Sequence, residues 1–269
     1  MTLPFDIEPL RHADPKEMRA LIRKGEWAHP TSGLCLSHVQ GNMLVLPKEW
    51  AYDFLVFAQR NPKPCPVLDV TEPGRGEAKI IAPGSDVRTD IPKYRVWVDG
   101  ELKDEPTDVL KYGRDDLVAF LLGCSFSFEG ALLDAGIPIR HIDMGRNVPM
   151  YVTNIQCRPA GRLSGPMVVS MRPVRHSQVP KAVLCTGRFP AVHGAPVHIG
   201  DPAAIGIKDI NRPEFGDSVE IREGETPVFW ACGVTPQAVV MNSRPPFAIT
   251  HAPGHMFIGD PKDSDFAVF

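Results

Sequence analysis

Three stretches set the fold class: Pro166-Met167-Val168-Val169-Ser170-Met171, Ser177 to Phe189 (SQVPKAVLCTGRF), and Pro196-Val197-His198-Ile199. The first is a short apolar, β-branched run and reads as a strand. The second places Val179, Ala182, Val183 and Phe189 at helical spacing, and the third returns to a strand. Strand, helix and strand with short joints make a βαβ-like unit. Tyr151 to Cys157 precedes it as a further strand. Working outward, Asp14 caps a helix that begins at Pro15 and ends near Gly25, and a second helix follows Pro47. Asn42 to Leu46 reads as a short extension and Pro66 to Val70 as a buried strand. Tyr94 to Val98 runs into Asp99-Gly100, a hairpin signal. Arg114 to Leu122 and Ser125 to Asp134 read as helices; Val219 to Ile221, Pro227 to Trp230 and Phe247 to Thr250 read as strands.

The expected class is α/β: a mixed-sheet main domain with a smaller two-layer α+β domain inserted in the middle of the chain. Residues 1–146 with 216–269 form the first and 147–215 the second. The 269 residues carry 29 Lys+Arg against 32 Asp+Glu, a net charge of −3. That balance lacks the basic footprint of a nucleic-acid binder. No apolar run approaches the ~20 residues that span a bilayer. Met1 to Asp6 has neither a basic start nor an apolar run, so a cytoplasmic location is expected, with the six dispersed cysteines reduced. The 28 prolines are scattered as punctuation rather than gathered into a linker. The chain has no G-x-S-x-G, G-x-x-x-x-G-K-[ST] or G-x-G-x-x-G, which removes the common serine hydrolases, P-loop proteins and Rossmann dehydrogenases.

Four polar clusters carry the candidate chemistry. Gly123 to Glu129 (GCSFSFE) starts a predicted helix, where free amides would bind an anion and lower the Cys124 pKa. Ser125 and Ser127 add hydroxyls there and Glu129 an acid or base; capping, packing and solvation account for the same residues. In Pro196 to Pro202, His198 faces away from Val197 and Ile199, and Asp201 follows at a strand end. A turn before Pro202 explains Asp201 equally well. In Trp230 to Gln237, Thr235-Pro236 has the form of a helix start beside Gly233. In Thr250 to Asp260, His251 and His255 are four apart, but Pro253-Gly254 between them excludes a helical metal pair. No third ligand is legible, so neither metal nor other cofactor is assigned. Arg158 and Arg172 are candidates to grip a carboxylate.

At these clusters the sequence resembles the hydro-lyases of the D-glutamate cyclase family. The resemblance lies in GCSFSFE (123–129), MVVSMRP (167–173), VHGAPVHIGD (192–201), VFWACGVTPQ (228–237), THAPGHMFIGD (250–260), and Gly41-Asn42 with Met43 to Pro47. It implies a two-part α/β architecture and a reaction that releases water, which for the named activity is closure of D-glutamate to 5-oxo-D-proline. The chemistry of that reaction, not the resemblance, suggests the roles. Glu129 or His251 moves protons, Asp201 orients a partner, and Cys124 is a candidate thioester nucleophile. Ser125, Ser127, Arg172, His198, Thr235, His255 and Asn42 are candidates to hold an acidic small-molecule substrate. Two other readings stay open: an amidohydrolase or other lyase on a related acid, and a non-catalytic binder of an acidic metabolite. Self-association is likewise open.

Overall fold

The computed structural model describes residues 7–268, so Met1 to Asp6, on which the expected lack of a secretory signal rests, lie outside it. In chain order the elements are α1 (Pro15–Arg23), β1 (His38–Pro47), α2 (Lys48–Arg60), β2 (Val67–Val70), β3 (Tyr94–Val98), β4 (Glu101–Asp104), β5 (Leu117–Gly123), α3 (Glu129–Asp134), α4 (Arg140–Asp143), β6 (Met150–Gln156), β7 (Pro166–Arg175), α5 (Val179–Gly187), β8 (His198–Ile199), β9 (Glu225–Ala231), α6 (Thr235–Ser243), β10 (Ala248–His251) and β11 (Phe257–Lys262). Seven strands form one sheet in the order β2-β5-β1-β10-β3-β4, with β11 also on β1; four form a second, β6-β7-β9-β8. Every ladder is antiparallel, so the main sheet is not mixed. The fold is α/β with two antiparallel sheets.

β1 is the axis of the larger sheet. Gly41 to Pro47 pairs without interruption against Leu117 to Gly123. On its other edge β1 meets β11 through Gly41 and β10 from Leu44, leaving Asn42 and Met43 at the fork. Alternate residues serve two cores. Leu44, Leu46, Val118, Phe120 and Leu122 pack under Trp50, Phe54 and Phe57 of α2 and Val239 and Val240 of α6. Met43, Val45, Leu117, Ala119 and Leu121 pack instead under Ala78, Ile81, Val87, Ile91 and Val109.

This double burial explains why Arg114 to Leu122, expected as a helix, contains strand β5 instead. A strand covered on both faces is apolar at every position, and its string does not differ from that of a buried helix. The predicted helix from Ser125 is also shorter: α3 begins only at Glu129. Val67 and Val70 of β2 are 39% and 40% exposed, so this edge strand buries Asp69 rather than its valines. Val219 to Ile221 forms no strand. Other expectations match local chemistry. Asp14 accepts from the Lys16 and Glu17 amides, and Asp99 and Gly100 both adopt the left-handed backbone of a tight hairpin turn.

The βαβ-like unit is split. β7 and β8 run in the same direction across α5, but β9 lies between them, antiparallel to both. The second sheet therefore takes a strand from residues 225–231, beyond the 147–215 segment. All six cysteines are unpaired. Among the described residues no helix is long and apolar enough to cross a membrane. Phe54, fully buried, meets the Phe120 ring edge-on at 4.8 Å. Phe54→Ala should lower unfolding stability by about 3–5 kcal/mol, read by denaturant titration; a loss below about 1 kcal/mol would mean that this core is not close-packed.

Candidate functional site

The turn leaving β5 carries Cys124 to Phe128, and α3 then presents Glu129 inward. Arg172, from β7 in the other sheet, reaches the same point. Its Nε and Nη2 donate to Glu129 Oε1 at 3.0 and 2.5 Å, Nη2 also to Ser125 Oγ at 3.0 Å, and Nη1 to Ser170 Oγ at 3.1 Å. His141 Nε2 stands 3.2 Å from the same carboxylate oxygen, and Ser32 Oγ lies 3.3 Å from that nitrogen. Glu129 and Arg172 are each 1% exposed. The guanidinium lies over the adjoining rings of Phe128 and Trp230, 5.3 and 5.5 Å from their centroids. Burial alone would raise the Glu129 pKa, but the charges of His141 and Arg172 and their hydrogen bonds outweigh it and hold the carboxyl below its ordinary value. Glu129 is an ionised partner of Arg172. Arg172 in turn spends most of its donors on the protein, and Ser125, accepting one of them, keeps its O–H free to donate.

Two glycines let the backbone close around this turn. A β-carbon on Gly123 would fall 2.1 Å from the Ala191 carbonyl oxygen, and one on Gly233 would fall on the Asn42 amide. Asn42 Nδ2 donates to the Gly123 carbonyl at 2.7 Å, tying β1 to the same turn. Cys124 does not have the activated thiol expected at a helix start. The helix begins five residues later, the sulfur accepts the Phe126 amide at 3.4 Å, and burial pushes its pKa far up. Ser127 Oγ accepts the Gln40 amide at 3.0 Å.

The remaining candidates lie apart from the ion pair. Thr235 is not a cap; its Oγ accepts the Val168 amide and donates to the Cys232 carbonyl, fastening α6 to β7. His251 fills the fork in the sheet. Its Nδ1 lies 3.1 Å from the Met43 amide nitrogen and 3.3 Å from the Met43 carbonyl oxygen, and its Nε2 is a buried atom without a partner. His255 lines a cleft with Lys93, Arg95, Glu105, Asn147 and Glu214. His198 and Asp201 bind each other's loop: His198 Nε2 is 2.7 Å from the Asp201 carbonyl, and the Asp201 carboxylate caps the turn at Ala203. Arg158 offers its backbone amide to Asn61. Among the described residues no group of three or more His, Cys, Asp or Glu could hold a metal ion.

The sequence reading passed over His141, Ser170, His193 and Asp263. His193 did carry a signal, the His193-Gly194 pair of a left-handed turn; His141, within Ile139-Arg140-His141-Ile142, carried none.

Arg172→Met should cost about 3–5 kcal/mol in unfolding stability, because it strands a buried carboxylate. Adding Glu129→Gln to that variant should restore part of the loss, and a purely additive double variant would refute the coupling. Burial holds His193, His251 and His255 at about 4, below the ordinary 6.5, and lifts Asp263 to about 8, helped by Asp265 and Glu129. The unfolded chain binds more protons at the histidines between pH 4 and 6.5, so stability rises with pH there. Above 6.5 only Asp263 remains, protonated when folded and ionised when unfolded, so stability falls toward pH 8. Denaturation across a pH series should show a maximum near 6.5, and Asp263→Asn should abolish the decline above it.

The chain matches the family model described as D-glutamate cyclase over residues 118–260. It is 62% identical to a protein named "Putative hydro-lyase" of Geobacillus kaustophilus, over 94% of this chain and 96% of that one. A protein of the same name from Saccharopolyspora erythraea is 65% identical over 94% and 99%. Among solved structures, a nitrogen repressor-like protein of Methanococcus jannaschii aligns at a TM-score of 0.37 and 9% identity, covering 87% of this chain and 91% of that one, a likeness too small to bear on the fold. The matched segment contains Cys124, Ser125, Glu129, His141, Arg172, His193, Gly233 and His251, and the chain belongs to the D-glutamate cyclase family of lyases.

Proposed function

We propose that this protein is a hydro-lyase that removes water from a small amino or carboxylic acid, and that its reaction is closure of D-glutamate to 5-oxo-D-proline. In that closure the α-nitrogen bonds to the γ-carboxyl carbon and one γ-oxygen departs. The ammonium group gives up two protons, and both leave on that oxygen as water. An enzyme for this step must stabilise a tetrahedral oxyanion and protonate a poor leaving group.

The observation that carries the reading is the Ser125 hydroxyl held on Arg172 beside the ionised Glu129. Ser125 Oγ accepts from a cation, so its own proton is polarised and available to the developing oxyanion. In a site shut off from water, such a donor acts without solvent screening. Glu129 keeps Arg172 in place rather than exchanging protons. A neutral buried histidine is the kind of group that can carry these protons to the departing oxygen, and burial holds His251 neutral. The cleft at Lys93, Arg95 and His255 offers an acidic substrate a partly basic approach.

Proton NMR of the purified protein with D-glutamate, with 5-oxo-D-proline, and with both L-forms tests this. Interconversion confined to the D-forms is expected, and Ser125→Ala should slow it about 10²-fold or more with the fold intact. Stabilisation of the protein by D-glutamate without turnover would identify a binding protein instead.

A further inference from the structure

His193 is held in an unusual way. It follows the short turn Pro190–Val192, whose backbone presses on Gly123, and it adopts φ 84°, the left-handed region that β-carbon residues seldom enter. Gly194 continues in the same region. Glycine would suit position 193 better if only the turn mattered, so the side chain is the reason for the strain. Its Nδ1 lies 2.7 Å from the Lys63 carbonyl. A carbonyl only accepts, so the ring proton sits on Nδ1 and Nε2 carries a bare lone pair. That Nε2 is buried and makes no hydrogen bond of normal geometry, with the Gly123 backbone as a further polar neighbour of the ring. Buried polar atoms are almost always paired, and an orphan calls for an explanation such as a catalytic role. The Ala191–Val192 backbone just before it packs on Gly123, two residues from Ser125, so His193 adjoins the turn that carries the Ser125–Arg172 group.

Resting on the hydro-lyase reading above, we infer that His193 Nε2 is the acceptor for the substrate's amino group and relays its protons to the departing oxygen. The ammonium N–H bond breaks, the proton passes to Nε2, and the freed nitrogen lone pair forms the bond to the γ-carbon. The imidazolium gives that proton to the departing oxygen. The second amine proton follows the same route as the tetrahedral species collapses, and the ring ends neutral. Burial and the cations Lys63 and Arg172 keep the ring neutral, at about 4. A dicarboxylate brings two negative charges that offset Lys63 and Arg172, which raises the proton affinity of Nε2 only when substrate is bound.

His193→Asn separates this role from a structural one. Asparagine tolerates the left-handed backbone, its amide replaces Nδ1–H on the Lys63 carbonyl, and only Nε2 is lost. The expected result is an unchanged melting temperature, an unchanged KM within a few-fold, and a kcat lower by about 10²–10⁴. Turnover at the wild-type rate would overturn the inference. The second measurement is the ¹⁵N resonance of Nε2 in the wild-type protein, first free and then with D-glutamate, with glutarate (which lacks the amine), and with a panel of other amino acids. A shift caused by D-glutamate and not by glutarate is expected. If D-glutamate is not turned over and another amino acid shifts Nε2, the D-glutamate reading falls and the role of His193 stands. If no amino acid moves the resonance, or glutarate moves it equally, the role falls whatever the turnover assay gives.

Discussion

The buried contact between Arg172 and Glu129 joins the two sheets at one point. Arg172 belongs to the four-stranded sheet, and Glu129 follows the last residue of β5 in the seven-stranded one by six positions. Two ions removed from water on their own would each carry a large desolvation cost, so each requires the other. The partners fix more than each other. Ser125, Ser170 and His141 are all set by hydrogen bonds or close approach to the same two groups. Neutralising either partner would loosen the turn that holds Ser125 and the seam between the sheets together.

Around this pair lie small residues, neutral thiols and histidines anchored to the backbone. Gly123 and Gly233 admit the Ala191 backbone and the Asn42 amide where a methyl group would collide. Cys124 and Cys232 line the same region as neutral thiols, because burial disfavours the thiolate. The two histidines with orphaned nitrogens rest their other ring nitrogen on the backbone: His251 Nδ1 on the Met43 amide and carbonyl, and His193 Nδ1 on the Lys63 carbonyl, which accepts its proton. Main-chain geometry sets the acid–base character of these side chains. The backbone therefore contributes to the proposed chemistry as directly as the residue types do.

Local signals in the sequence identified what depends on a few neighbouring residues. The Asp14 cap, the α2 helix after Pro47, the Asp99-Gly100 hairpin and the β10 strand each follow from short-range chemistry. Ser125, Glu129 and Arg172 stood out as polar residues amid apolar ones, and they meet in space. β5 was misread because burial on both faces erases the alternation that marks a strand, and that burial comes from α2 and the 78–109 segment, distant in the chain. His198 and Asp201 stood out for the same reason as Ser125, yet both side chains are spent on the backbone of their own loop, at the Asp201 carbonyl and the Ala203 amide.

The sequence by itself determined the α/β class, the family and the residue types that carry charge and protons, because these follow from composition, local periodicity and near-continuous motifs. Tertiary structure alone decided that Arg172 grips Glu129, that burial holds the Cys124 thiol neutral, and that the His193 ring proton sits on Nδ1. The physical reason is that pKa, tautomer and pairing depend on what surrounds a group in three dimensions. For His193 those surroundings are Lys63, Gly123 and Arg172, residues 130, 70 and 21 positions away.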